Sequence, residues 1–113
     1  FATGIPFKGR GTKQEHGVFL KELGEVMSVS AGIRRFGSAA LDLAYVAAGR
    51  FDGFWERGLQ PWDVAAGILV VREAGGMVSD LFGQDKIMET GTIIAANPSL
   101  HKALQDVLAK ARK

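Results

Sequence analysis

Cysteine is missing from all 113 residues. Disulfides and thiolate metal sites are therefore excluded, and the composition suits a reducing, cytoplasmic setting. No apolar run approaches the ~20 residues that a membrane span needs, and there is no charged n-region followed by an apolar h-region. A membrane partner is not expected. Charge of one sign is scarce too: the net value is +2. The basic residues Lys8, Arg10, Lys13, Arg34 and Arg35 are interrupted by other types and read as solvated surface charge. With no basic, aromatic-interleaved surface, direct nucleic-acid binding is not expected. P-loop, G-x-G-x-x-G, G-x-S-x-G and H-E-x-x-H patterns are absent; Gly9 and Gly11 lack a third glycine. An initiating methionine is also lacking. Phe1 to Phe7 reads as a strand running into a turn, so the expectation is a piece of a longer protein that begins inside a fold.

What is present is ordinary globular composition, 47% hydrophobic and 23% charged, enough for one domain with a modest core. Lys8 to Thr12 has loop chemistry. Phe19, Leu20, Leu23, Val26 and Met27 then form one apolar stripe that predicts a helix ending by Ser30-Ala-Gly32. Ile33 to Phe36 is a short strand candidate. Gly37-Ser38 opens a second helix through Ala48, whose apolar residues nearly encircle it and predict burial. Phe51 to Glu56 is strand-like. Pro61 suits the first position of a helix, expected to be buried and to run to Ala74 before Gly75-Gly76. Met77 to Ser79 and Thr92 to Ala96 read as strands around a turn-rich loop, and Asn97-Pro98 starts a last helix. Strands alternate with helices, which is an α/β pattern with a sheet covered by helices.

Two carboxylates stand at element ends, where α/β proteins build ligand sites. Asp63 is at the third position of its helix. Its plain role is to satisfy free backbone N–H groups there and complement the dipole. Its chemical alternative is a hard-cation ligand, since magnesium takes oxygen donors, usually one or two carboxylates with waters and phosphate. Glu56 closes a strand, as an exposed charge or as an acceptor for a sugar or cyclitol hydroxyl. Gly37-Ser38-Ala39 opens a helix, either for close packing or with amide and hydroxyl groups turned to a polar ligand. Trp55 and Trp62 read as packing residues that can also wall a pocket. His16 and His101 have no second ligand at metal spacing. Glu73-Ala-Gly-Gly76 is explained by helix termination alone.

The run from Glu56 through Trp62-Asp63-Val-Ala-Ala-Gly67 to Gly76 resembles the C-terminal signature of the inositol monophosphatase family, Trp-Asp-x-Ala-(Ala/Gly)-Gly. Gly37-Ser-Ala-Ala40 is similar to the family's Gly-(Ser/Thr)-Ala-Ala segment, and the run Gly37 to Arg50 is typical of bacterial members. The likeness extends from the first strand through Asn97-Pro98. It implies the C-terminal half of a layered αβαβα fold, a mixed sheet flanked by helices, in a magnesium-dependent, lithium-sensitive phosphomonoesterase. The implied substrate is inositol 1-phosphate or a similar small phosphorylated polyol. In that pattern Asp63 binds Mg2+ and substrate, Glu56 meets a substrate hydroxyl, and Gly37, Ser38 and Ala39 line the pocket. Family members are commonly homodimers, and some bacterial ones are associated with the transcription machinery. One departure is large: the family's paired-acid segment and Asp-Pro-x-Asp-Gly-Thr motif have no match in the chain. The catalytic set is then incomplete, and the chain alone is expected to be inactive. A binding role without catalysis, or a site that has decayed, are the alternatives.

Overall fold

Residues 1–4, 12–35 and 37–111 are described by a computed structural model. Their elements in chain order are β1 (Ala2–Thr3), α1 (Lys13–Met27), α2 (Ala39–Ala47), β2 (Gly53–Glu56), α3 (Pro61–Glu73), β3 (Met77–Ser79), α4 (Ile87–Thr90), β4 (Ile93–Ala96) and α5 (Pro98–Ala111). The strands join in the order β1-β2-β4-β3. β1 runs parallel to β2, and the β2–β4 and β3–β4 pairs are antiparallel.

Strand alternation decides how the layers stack. On β2, Phe54 joins Ile93 and Ala95 of β4 beneath α2 and α3, in a core with Leu43, Val64, Ile68 and Val71. The intervening Trp55 and Ile94 point to the other face and meet Phe19 and Val26 of α1 with Leu104 and Leu108 of α5. All four residues of β4 are buried, as expected of a strand covered on both sides. The mixed sheet is thus flanked by helices, in agreement with the α/β pattern. Local signals hold the ends: Thr12 and Glu15 form a reciprocal capping box at α1, with both bonds 3.1 Å. Asn97 Oδ1 accepts the Leu100 N–H at 2.9 Å to open α5.

Several expectations change. Leu20 and Met27 of the α1 stripe are 65% and 62% exposed, while Glu22, between Phe19 and Val26, is buried. The apolar seam of α1 is narrower than its count of apolar residues suggests. Ile33 to Phe36 makes no strand in the described residues; Arg34 alone bridges Ala2. Of the strand running into a turn expected over Phe1 to Phe7, and of the loop expected over Lys8 to Thr12, residues 5–11 lie outside the described residues. Helix α2 buries Asp42, Leu43 and Val46 but leaves Ala40, Leu41 and Ala44 open. Helix α3 is not wholly buried either, since Leu69 is exposed. Each of these helices is covered on one side only. α4 had no sequence signal, because four residues are too few to show a period.

Candidate functional site

Helix α2 begins where Gly37, at φ 79°, turns the chain. Ser38 Oγ accepts the Leu41 N–H at 3.2 Å, and the Ser38 carbonyl accepts the Asp42 N–H at 2.9 Å. The amides of Ala39 and Ala40 then have no intrahelical acceptor, as in any first turn. Helix α3 begins with Pro61, and Asp63 reaches back so that its Oδ2 accepts the Gln60 N–H at 2.9 Å. The plain capping role of Asp63 is therefore real. A carboxylate has about four acceptor sites, so this bond leaves capacity for a ligand.

Glu56 ends β2 beside the end of β1. Its carboxyl lies over Gly4, where any Cβ would overlap it. Glu56 and Asp63 face one cavity of about 320 Å³, together with Gly37, Ser38 and Ala39. All five residues singled out from the sequence thus meet in a single cleft. Gly4, Arg35, Ala40, Leu59 and Trp62 complete its wall. Trp62 is 79% exposed, so it walls the cleft rather than packing a core. Arg35, read as solvated charge, does lie exposed, yet it places its guanidinium near Gly37 at the α2 end of the cleft. Neither Gly4 nor Arg35 carried a sequence signal for the site, because Gly4 arrives through the β1–β2 pairing and Arg35 through the bridge of Arg34 to Ala2. A larger hollow of about 440 Å³ lies between α3 and α4. Its polar groups include the surface pair Arg72–Asp85, 3.0 Å apart, and it gathers none of the five.

Among the described residues, no three His, Cys, Asp or Glu side chains gather to hold a metal. Asp63 has the donor chemistry for one place around a hard cation, but one carboxylate does not fill such a site. The magnesium implied by the resemblance needs ligands beyond those described. His101 is buried against Ser79, with Nε2 2.8 Å from Oγ. Ser79 donates its proton to the Asp80 carbonyl at 2.8 Å, so the imidazole must be the donor in this pair. A ring nitrogen that already carries hydrogen cannot accept a proton from that serine, and the pair is structural.

A mixed sheet between helices, with polar groups converging at strand and helix ends, defines an α/β fold with a polar cleft. Residues 3–113 match the model of the inositol monophosphatase family. The chain belongs to the inositol monophosphatase family. It is 56% identical over 108 residues to the inositol-1-monophosphatase of Rhizobium meliloti, covering 96% of this chain and 40% of that protein. It is likewise 56% identical over 103 residues to Nus factor SuhB of Salmonella typhimurium, covering 91% of this chain and 38% of that one. The crystal structure of extragenic suppressor protein suhB from Bartonella henselae superposes with a TM-score of 0.90 at 55% identity, over 96% of this chain and 40% of that one. The chain spans about 40% of the length of these relatives.

Proposed function

We propose that the chain is the C-terminal, substrate-facing part of a magnesium-dependent phosphomonoesterase acting on inositol 1-phosphate or a similar small polyol phosphate. The observation that carries the reading is the convergence of Glu56, Asp63 and the Gly37–Ala39 segment on one cleft. In this reading Glu56 accepts hydrogen bonds from substrate hydroxyls. The Ser38 hydroxyl, whose oxygen already takes the Leu41 N–H, still has its proton to donate to a substrate oxygen. The Ala39 and Ala40 amides add donors on the same side. Asp63 contributes one carboxylate to a metal site completed by the part of the family fold outside this chain. Magnesium, when bound there, polarises phosphate and lowers the pKa of water. The name of the Rhizobium relative supports the substrate class. Homodimer formation, common in the family, belongs to the same proposal.

A graft tests it: this chain replaces the matching segment of the Rhizobium meliloti enzyme. The graft should hydrolyse inositol 1-phosphate with magnesium. Asp63→Asn within it should lower kcat by at least about 100-fold, more than the loss of an outer-shell partner. Glu56→Gln should raise KM by about tenfold or more, as a charge-assisted hydrogen bond weakens. The 113-residue chain by itself should give no turnover. Sustained magnesium-dependent hydrolysis by the lone chain would refute the reading, and an inactive graft would indicate a decayed site.

The Nus-factor name of the Salmonella relative favours a second reading, a protein partner in the transcription machinery. Asp63→Asn separates the two in cells: a phenotype retained after phosphatase activity is lost assigns the role to binding.

A further inference from the structure

Glu22 is an acid in the middle of the buried face of α1, flanked by Phe19 and Val26, and it is 0% exposed. A carboxylate in that position is strongly unfavourable unless it is paired. Its partner is Arg57, whose Nε lies 3.1 and 3.2 Å from the two carboxylate oxygens and whose second guanidinium nitrogen donates at 2.8 Å. This is a fork geometry that fixes orientation as well as distance.

Arg57 is the residue after Glu56. Alternation along β2 sends Phe54 and Glu56 toward the α2–α3 side and Trp55 toward the α1–α5 side. Arg57 continues the alternation and is held on the α1 side by Glu22. The chain between the two cleft carboxylates is tied at further points. The Leu59 N–H donates to the Gly91 carbonyl at 2.9 Å, and the Gln60 N–H to Asp63. On the neighbouring strand, Thr3 Oγ1 donates to the Trp55 carbonyl at 2.8 Å. Glu22–Arg57 is an ionic tie, made on the side of the sheet opposite Glu56.

We propose that Glu22 is a positioning residue: through Arg57 it anchors the β2–α3 turn from the reverse side of the sheet and so sets the Glu56 carboxyl against Gly4 in the cleft. Its use for a polyol substrate rests on the function proposed above, but the placement itself is read without substrate. The experiment compares the 113-residue chain with its Glu22→Gln and Arg57→Lys variants by NMR and amide hydrogen exchange. Arg57→Lys keeps the charge and loses the fork, so it preserves the fold if the buried acid proves intolerant of change. Both variants should move the Glu56 carboxyl carbon resonance and change the proximity signal between the Glu56 γ-protons and the Gly4 α-protons. Exchange at the Leu59 and Gln60 amides should accelerate at least about tenfold relative to Ile93–Ala96, as local opening does. An unchanged Glu56 signal with unchanged turn amides overturns the proposal, and so does an equal acceleration at every amide, which marks a purely global effect. An inactive graft with these signals moved as expected would instead count against the phosphatase reading.

Discussion

Asp42 is buried on α2 with neither carboxylate oxygen hydrogen-bonded, and burial pushes its pKa up from 3.8 to about 6. The folded protein therefore holds this proton more tightly than the unfolded chain does. The contribution is fully present below about 3.8 and is lost as pH rises toward about 6. Asp42→Asn removes the titration. Its thermal midpoint should exceed that of the parent at pH 8 and converge with it near pH 4, with a difference of at most about 3 kcal/mol at high pH. Parallel curves across that range would show that the carboxyl finds solvent. His101 works in the opposite direction. Burial, and then neighbouring Lys102, lower its pKa below 6.5, so its contribution is lost as pH falls below that value. At this scale the sequence was readable where chemistry sits at element ends. Asp63 three residues into a Pro-initiated helix and Glu56 at a strand end could be singled out, and they share a cleft. Asp42 and Glu22 escaped notice because each is a lone acid within a helix. Only the fold leaves the first without a hydrogen-bond partner and brings the second to an arginine 35 residues away.

Between elements, α2 packs closely on α3. Leu43 fills the space over Gly67, and a Cβ there would lie 2.9 Å from Leu43 Cβ. Gly67→Ala gains about 1 kcal/mol of helix propensity but forces Leu43 or the helix to move, a typical overpacking cost of about 1–3 kcal/mol. The expected outcome is a lower urea midpoint, with a smaller drop when Gly67→Ala is made in a Leu43→Ala background. A midpoint at or above that of the parent would mean that the helices separate without penalty. Element boundaries were largely legible: Ser38, Pro61, Asn97 and the glycine pair at 75–76 mark ends by their backbone requirements. Depth was not. The apolar circumference of α2 suggested burial all round, yet Leu41 is 41% exposed, because periodicity reports a side chain's chemistry and not which neighbour arrives to cover it.

On the whole molecule, helices α2 and α3 leave several large apolar side chains exposed. Leu41, Trp62, Leu69 and Val70 lie open there, and exposed patches of this kind mark contact surfaces. The isolated chain should bind a hydrophobic dye and sediment above its monomer mass at high concentration, and paired Leu41→Glu and Leu69→Glu changes should reduce both signals. A strictly monomeric parent that excludes the dye would contradict this. Family and layer order were legible from long motifs and strand alternation, whereas the cleft's full wall was not, since Gly4 reaches it through the pairing of β1 with β2 and Arg35 through the bridge of Arg34 to Ala2. The partnership of α1 with α5 has a temporal side. Synthesis reaches α1 well before Leu104 and Leu108, which close over Trp55 with it. Until they arrive, that side of the sheet has α1 alone for cover, so it cannot close before α5 is made. Trimming α5 would return the sheet to that half-dressed state, with Trp55 fluorescence as its witness.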